Sequence, residues 1–134
     1  MKANTYRSRK AKGTRLEKKF AQLIREKGLD DNAKRMVLSG GAFGFETDIF
    51  TKLPWAFEVK NQEKIQFWQW WEQAEEQRKP FKPPALIFSA NFRPIMIALT
   101  ANDFLELLVE IKQLNLLLED QKKSPELEAK PLED

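Results

Sequence analysis

The segment Trp55-Ala-Phe-Glu-Val-Lys60 constrains the fold more than any other stretch of the chain. It is rich in aromatic and apolar residues and follows Pro54, so it reads as a strand. Side chains alternate across a strand, which puts Trp55, Phe57 and Val59 on one face and Ala56, Glu58 and Lys60 on the other. Glu58 and Lys60 therefore sit side by side. Residues 47–51 read as a second short strand, and Lys52-Leu53-Pro54 joins the two as a hairpin. The hairpin brings Asp48 next to Glu58 and Lys60. Asp48 lies in Thr-Asp-Ile-Phe, an otherwise strand-like run in which aspartate is unfavourable.

The other elements follow from periodicity. Residues 1–13 are polar and basic and read as a flexible arm. Thr14 with Glu17 has the pattern of a capping box; Leu16, Phe20, Leu23 and Ile24 follow at helical spacing up to Gly28, predicting a helix over 14–28. Residues 34–38 read as a strand, Ser39 to Gly44 as a loop, and 65–79 as a helix ending before Pro80. Strands follow at 85–89 and 94–99, then a long apolar helix over 103–118 capped by Thr100 or Asn102. The tail over 119–134 is acidic, contains two prolines and reads as disordered. The order α-β-β-β-α-β-β-α over a domain of residues 14–118 predicts an α/β fold, with a central mixed five-stranded sheet flanked by helices.

Composition narrows the chemistry. The 134 residues suit one domain. With no cysteine and no histidine, the chain can hold neither a disulfide nor a thiolate zinc site, and it has no imidazole base. Any metal must be held by oxygen, which points to Mg²⁺, with Mn²⁺ as a substitute. No apolar run approaches the roughly 20 residues that span a bilayer, and the charged start has no signal-peptide core, so a cytoplasmic protein without a membrane partner is expected.

The net charge of +3 is unevenly spread. Residues 1–35 carry 12 Lys/Arg against 4 Asp/Glu (net +8), residues 36–102 carry 7 of each, and residues 103–134 carry 4 against 9 (net −5). A basic first third fits either a polyanion such as nucleic acid or a solvated basic tail. Arg7, Arg9, Lys10, Lys12 and Arg15 are candidate phosphate contacts, which would give affinity without reading sequence.

Two carboxylates and a lysine at the end of a hairpin suit phosphodiester cleavage. Asp48 and Glu58 would hold a hard divalent cation with positions left for water and phosphate. The metal lowers the pKa of a bound water, and Lys60 orients that water or stabilises the transition state. Glu17, at the edge of the apolar stripe of its helix, is either a further ligand or the partner of Thr14 in the capping box.

These residues resemble the PD-(D/E)XK nuclease superfamily, whose signature is an acid on the first helix, an Asp, and (Asp/Glu)-X-Lys on the next strand. Here they are Glu17, Asp48 and Glu58-Val59-Lys60. Over residues 13–110 the chain is most similar to the archaeal-type Holliday junction resolvases and their phage relatives. Gly13 through Glu17 matches their Gly-X-X-X-Glu pattern, Arg35 and Ser39 match an Arg and a Ser before the Asp, and Gln73 matches a Gln on the following helix. One departure is Glu46-Thr47, where many members have Pro or Gly before the Asp.

The resemblance implies a restriction-endonuclease-like fold and a homodimer that binds branched double-stranded DNA and nicks two opposing strands of a four-way junction. It also implies a role for Ser39 beside the catalytic acids and a DNA contact for Arg35 and Ser39. The apolar last helix, from Phe104 to Leu118, is expected either to bury a dimer interface or to sit in the core. On the helix over 65–79, Phe67, Trp70, Trp71 and Ala74 share a core-like face and Trp68 lies off it.

Overall fold

A computed structural model describes residues 2–36, 48–78 and 82–128, with residues 2–9 and 124–128 described by backbone alone. Ser39, the glycine-rich loop and Glu46-Thr47 lie outside the described residues, as do the side chains of Arg7 and Arg9. The elements run α1 (Lys2–Glu26), β1 (Lys34–Arg35), β2 (Ile49–Phe50), β3 (Ala56–Asn61), α2 (Phe67–Gln77), β4 (Pro84–Ser89), β5 (Met96–Ala98) and α3 (Ala101–Glu128), in the expected order. They fall into two compact units, residues 1–99 and residues 100–134. No helix among the described residues is long and apolar enough to cross a membrane.

In the first unit, α1 begins at Lys2 rather than at Thr14. Most of the expected arm consists of Lys, Arg and Ala, which favour a helix, and extending an existing helix adds one bond per residue. Thr14 is therefore interior, and its capping box with Glu17 does not form. At the other end, Gly28 adopts φ 71°. Gly28 N donates to Arg25 O (2.9 Å) and Leu29 N to Ile24 O (3.2 Å), the paired bonds of a Schellman motif, which needs a residue free to adopt positive φ.

Leu16, Ala21 and Ile24 of α1 pack with Phe57, Val59, Ala85 and Ile87 of the sheet. Phe20 meets Phe57 edge-on, with centroids 5.0 Å apart. A second cluster joins Trp70 and Trp71 of α2 to Leu86, with Phe67 packed against it. Each large side chain buried in this way contributes roughly 1.5–3 kcal/mol. Trp68, off this stripe, is exposed.

The sheet departs from expectation. β4 runs parallel to β3 and antiparallel to β5, while β1 and β2 form a separate antiparallel pair. The described strands therefore make a three-stranded and a two-stranded sheet, not one sheet of five. The break falls at Asp48. Its N–H donates to Phe57 O (3.1 Å), but Val59 N–H donates to the Asp48 carboxylate (Oδ2, 2.7 Å). A side chain takes the donor that a ladder carbonyl would otherwise receive, and β2 is too short to extend the pairing.

Buried Asp30, after α1, ties the turn to the end of β2. Its Oδ2 accepts from Thr51 Oγ1 (2.7 Å) and Lys52 N (2.9 Å), and its Oδ1 from Asn32 N (3.0 Å). The bond from Thr51, and then those from the backbone, hold its carboxyl below the ordinary 3.8. A depressed acid adds stability above its unfolded value and loses it as pH falls through its folded one. Asp30→Ala is thus expected to lower Tm at neutral pH, with the gap to wild type narrowing below pH 3.8, as followed by circular dichroism.

The second unit is α3. Asp103 N donates to Thr100 Oγ1 (3.1 Å), so Thr100 caps it. The helix continues past Leu118 to Glu128, where a disordered tail was expected; Gln121, Lys122 and Lys123 favour helix. Leu108, Ile111, Leu114 and Leu118 along it are exposed.

Candidate active site

The charged residues singled out in the sequence converge from four places. Glu17 comes from α1 and Arg35 from β1; Asp48 immediately precedes β2, and Glu58 and Lys60 stand on β3. Alternation along β3 sends Phe57 and Val59 into the cluster with α1 and leaves Glu58 and Lys60 off that side. Glu58 is only 5% exposed. Lys60 Nζ lies 3.5 Å from Glu58 Oε1. Two hydrogen bonds anchor Asp48 to β3, one through its backbone N–H and one through its carboxylate. They place it beside Phe57 and Val59, the residues that flank Glu58.

Burial pushes the Glu58 carboxyl up from 4.5 to about 8, the nearby Asp48 charge adds to the rise, and Lys60 opposes it. Burial also raises Asp48, against the Val59 N–H and the charges of Lys60 and Arg35. Two acids crowd one poorly hydrated space that holds a single lysine, so ionising both at once is unfavourable.

Glu17 is set slightly apart. Arg35 Nε donates to its Oε2 at 2.7 Å, an ion pair in which both groups are partly buried. Burial raises the Glu17 carboxyl, the bond from Arg35 opposes that, and Asp48 raises it further. Glu17 thus senses Asp48 electrostatically while Arg35 holds it, in place of the Thr14 cap.

Among the described residues, no three acidic groups stand close enough to form a preassembled metal cluster. Asp48 and Glu58 are a pair of hard oxygen donors, which suits a divalent ion that keeps most of its waters. A cation there would also relieve the unfavourable ionisation of Glu58. The residues present therefore fit Mg²⁺ or Mn²⁺ as a two-carboxylate site.

Of the candidate phosphate contacts, Lys10 and Arg15 are exposed on α1, and Lys12 and Arg35 are partly buried. Asn61, next to Lys60, donates through Nδ2 to Lys12 O (3.4 Å), joining α1 to the end of β3. Sequence reasoning missed Asp30; its only signal was an acid opening the polar run Asp30-Asp31-Asn32.

A family model described as phage putative PDDEXK endonuclease matches residues 8–125. No curated protein and no solved structure matches the chain.

Proposed function

The chain belongs to the phage putative PDDEXK endonuclease family, and on that premise we propose that this nuclease is metal-dependent and resolves four-way DNA junctions by paired phosphodiester hydrolysis. The observation that carries the proposal is the pairing of buried Glu58 with half-buried Asp48, with Lys60 beside them. A purely structural role would not favour confining two acids where their ionisation is opposed.

In this reading Asp48 and Glu58 hold Mg²⁺, or Mn²⁺ in its place. When bound, the ion supplies an acidified water and charge stabilisation at the phosphate. A cation there would favour the ionised Glu58 carboxylate, whose proton would pass to solvent. Lys60 adds a fixed positive charge beside the phosphate and orients the attacking water. Glu17 is a positioning residue: paired with Arg35, it helps set the charge around Asp48. Lys10, Lys12 and Arg15, with Arg7, Arg9, Arg35 and Ser39, bind the DNA backbone.

Resolution needs two sites related by a two-fold axis, and the exposed leucines of α3 are the surface proposed for the homodimer. The test incubates the protein with a four-way junction, a flap and a linear duplex in Mg²⁺, alongside a solution mass measurement. Symmetric nicks confined to the junction, made by a dimer, are expected. Preferred cutting of flaps or duplex, or a strictly monomeric protein, would reject resolution and leave a nuclease of another substrate class.

A further inference from the structure

The turn between β4 and β5 presents an aromatic ring from strained backbone. Phe92 has φ 60°, the one positive value at a non-glycine residue among the described residues. A bulky side chain is disfavoured there. The ring is 106% exposed, so no burial offsets that cost.

The turn is nonetheless firmly held. Arg93 N donates to Ala90 O (3.1 Å), Asn91 N donates to Glu63 Oε1 (3.0 Å), and Ser89 Oγ lies 3.0 Å from Arg93 O. Strain that several bonds maintain, with no packing gained, points to a use for the exposed ring. Beside it, Arg93 is exposed and makes no ion pair among the described residues.

The position matters. Phe88 is the ladder partner of Lys60, and Ser89 that of Asn61. At about 4.8 Å between strands and 3.3 Å per residue, the turn starts roughly 10 Å from Lys60 in the sheet. A cleft of about 560 Å³, lined by Phe88, Met96, Asn91 and Arg93 among others, opens beside it.

We infer that this turn is a DNA contact that reads branching: Phe92 stacks on an unpaired or unstacked base near the cut, and Arg93 takes the adjoining phosphate. The π-face of a base and its phosphate match a lone ring next to an unpaired guanidinium. The inference rests on the nuclease reading and adds to it how a branch is told from duplex.

Phe92→Asn tests it, because Asn accepts positive φ and exchanges the aromatic ring for a small carboxamide. Affinities for a four-way junction and for a perfect duplex are measured by fluorescence anisotropy in chelator, so no cutting is required. The variant should unfold at a temperature no lower than wild type. Its affinity for the junction should fall about 5- to 100-fold while its affinity for duplex changes less than about twofold. Arg93→Gln should weaken both DNAs similarly and flatten the salt dependence.

Unchanged junction affinity in Phe92→Asn, or an equal loss on both DNAs, overturns the inference. If wild type still cuts DNA in Mg²⁺ in that case, the nuclease reading stands without it. A wild type that binds neither DNA overturns the inference, and one that also cuts none overturns the nuclease reading.

Discussion

Glu58→Gln is expected to make the metal-free protein more stable at pH 8, by an amount on the order of 4 kcal/mol. The Glu58 carboxyl in the fold is raised from 4.5 to about 8, first by burial and second by Asp48. An acid raised by folding contributes stability that is complete below its unfolded value and is lost as pH climbs through its folded value. Wild type therefore loses stability between pH 4.5 and about 8. Glutamine has the shape of the protonated acid and never ionises. The gain should be near zero at pH 4.5 and grow steadily toward pH 8, as read from denaturant unfolding in chelator. A difference independent of pH would mean that the fold does not raise the Glu58 carboxyl. Added Mg²⁺ should stabilise wild type and leave the variant nearly unmoved, since binding to the native state alone raises stability by mass action.

Truncating Asp48 removes a hydrogen bond as well as a charge, and two variants separate the two effects. Its carboxylate receives Val59 N–H at 2.7 Å, and its own N–H reaches Phe57 O. Asp48→Ala leaves the Val59 donor without its partner, at a cost of about 1–3 kcal/mol. Asp48→Asn keeps an acceptor oxygen in place and should recover most of that loss, so the gap between the two variants isolates the hydrogen bond. Both variants remove a negative charge, so both should bring the Glu58 carboxyl down, a change that carboxylate NMR can follow. Cleavage should fall by roughly a thousandfold in both, because an amide is a poor ligand for a hard cation. An alanine variant as stable as the asparagine one would show that the bond to Val59 does not support the sheet.

The order of elements was legible because apolar spacing and proline punctuation are local. The nearness of Glu58 and Lys60 was legible too, since alternation alone puts them on one face. The hairpin expected to bring Asp48 to them is not there, because β2 pairs with β1, and two hydrogen bonds to β3 hold Asp48 instead. What escaped depends on contacts across the chain. The Glu17–Arg35 pair joins residues 18 apart, and nothing local distinguishes it from the Thr14 capping box. Thr14 misled because a good capping residue is overruled when helix formers precede it. The division into two sheets turns on the Asp48 carboxylate bonding to β3, which a pattern of strand propensities does not encode. Residues 90–93 are only the link between the strands expected at 85–89 and 94–99; the positive φ of Phe92 and the full exposure of its ring emerge only in the fold. Asp30 likewise looks like one polar turn residue among three until Thr51 reaches it.

The claim that Asp48, Glu58 and Lys60 cut DNA is tested most directly by strand scission of an end-labelled four-way junction. Wild type and Glu58→Gln are compared in Mg²⁺ and in chelator, with folding and junction binding checked on the same samples. Wild type should nick in Mg²⁺ and not in chelator, and Glu58→Gln should bind the junction yet cut it roughly a thousandfold more slowly. Cutting by folded Glu58→Gln at the wild-type rate, or by wild type in chelator, would contradict it.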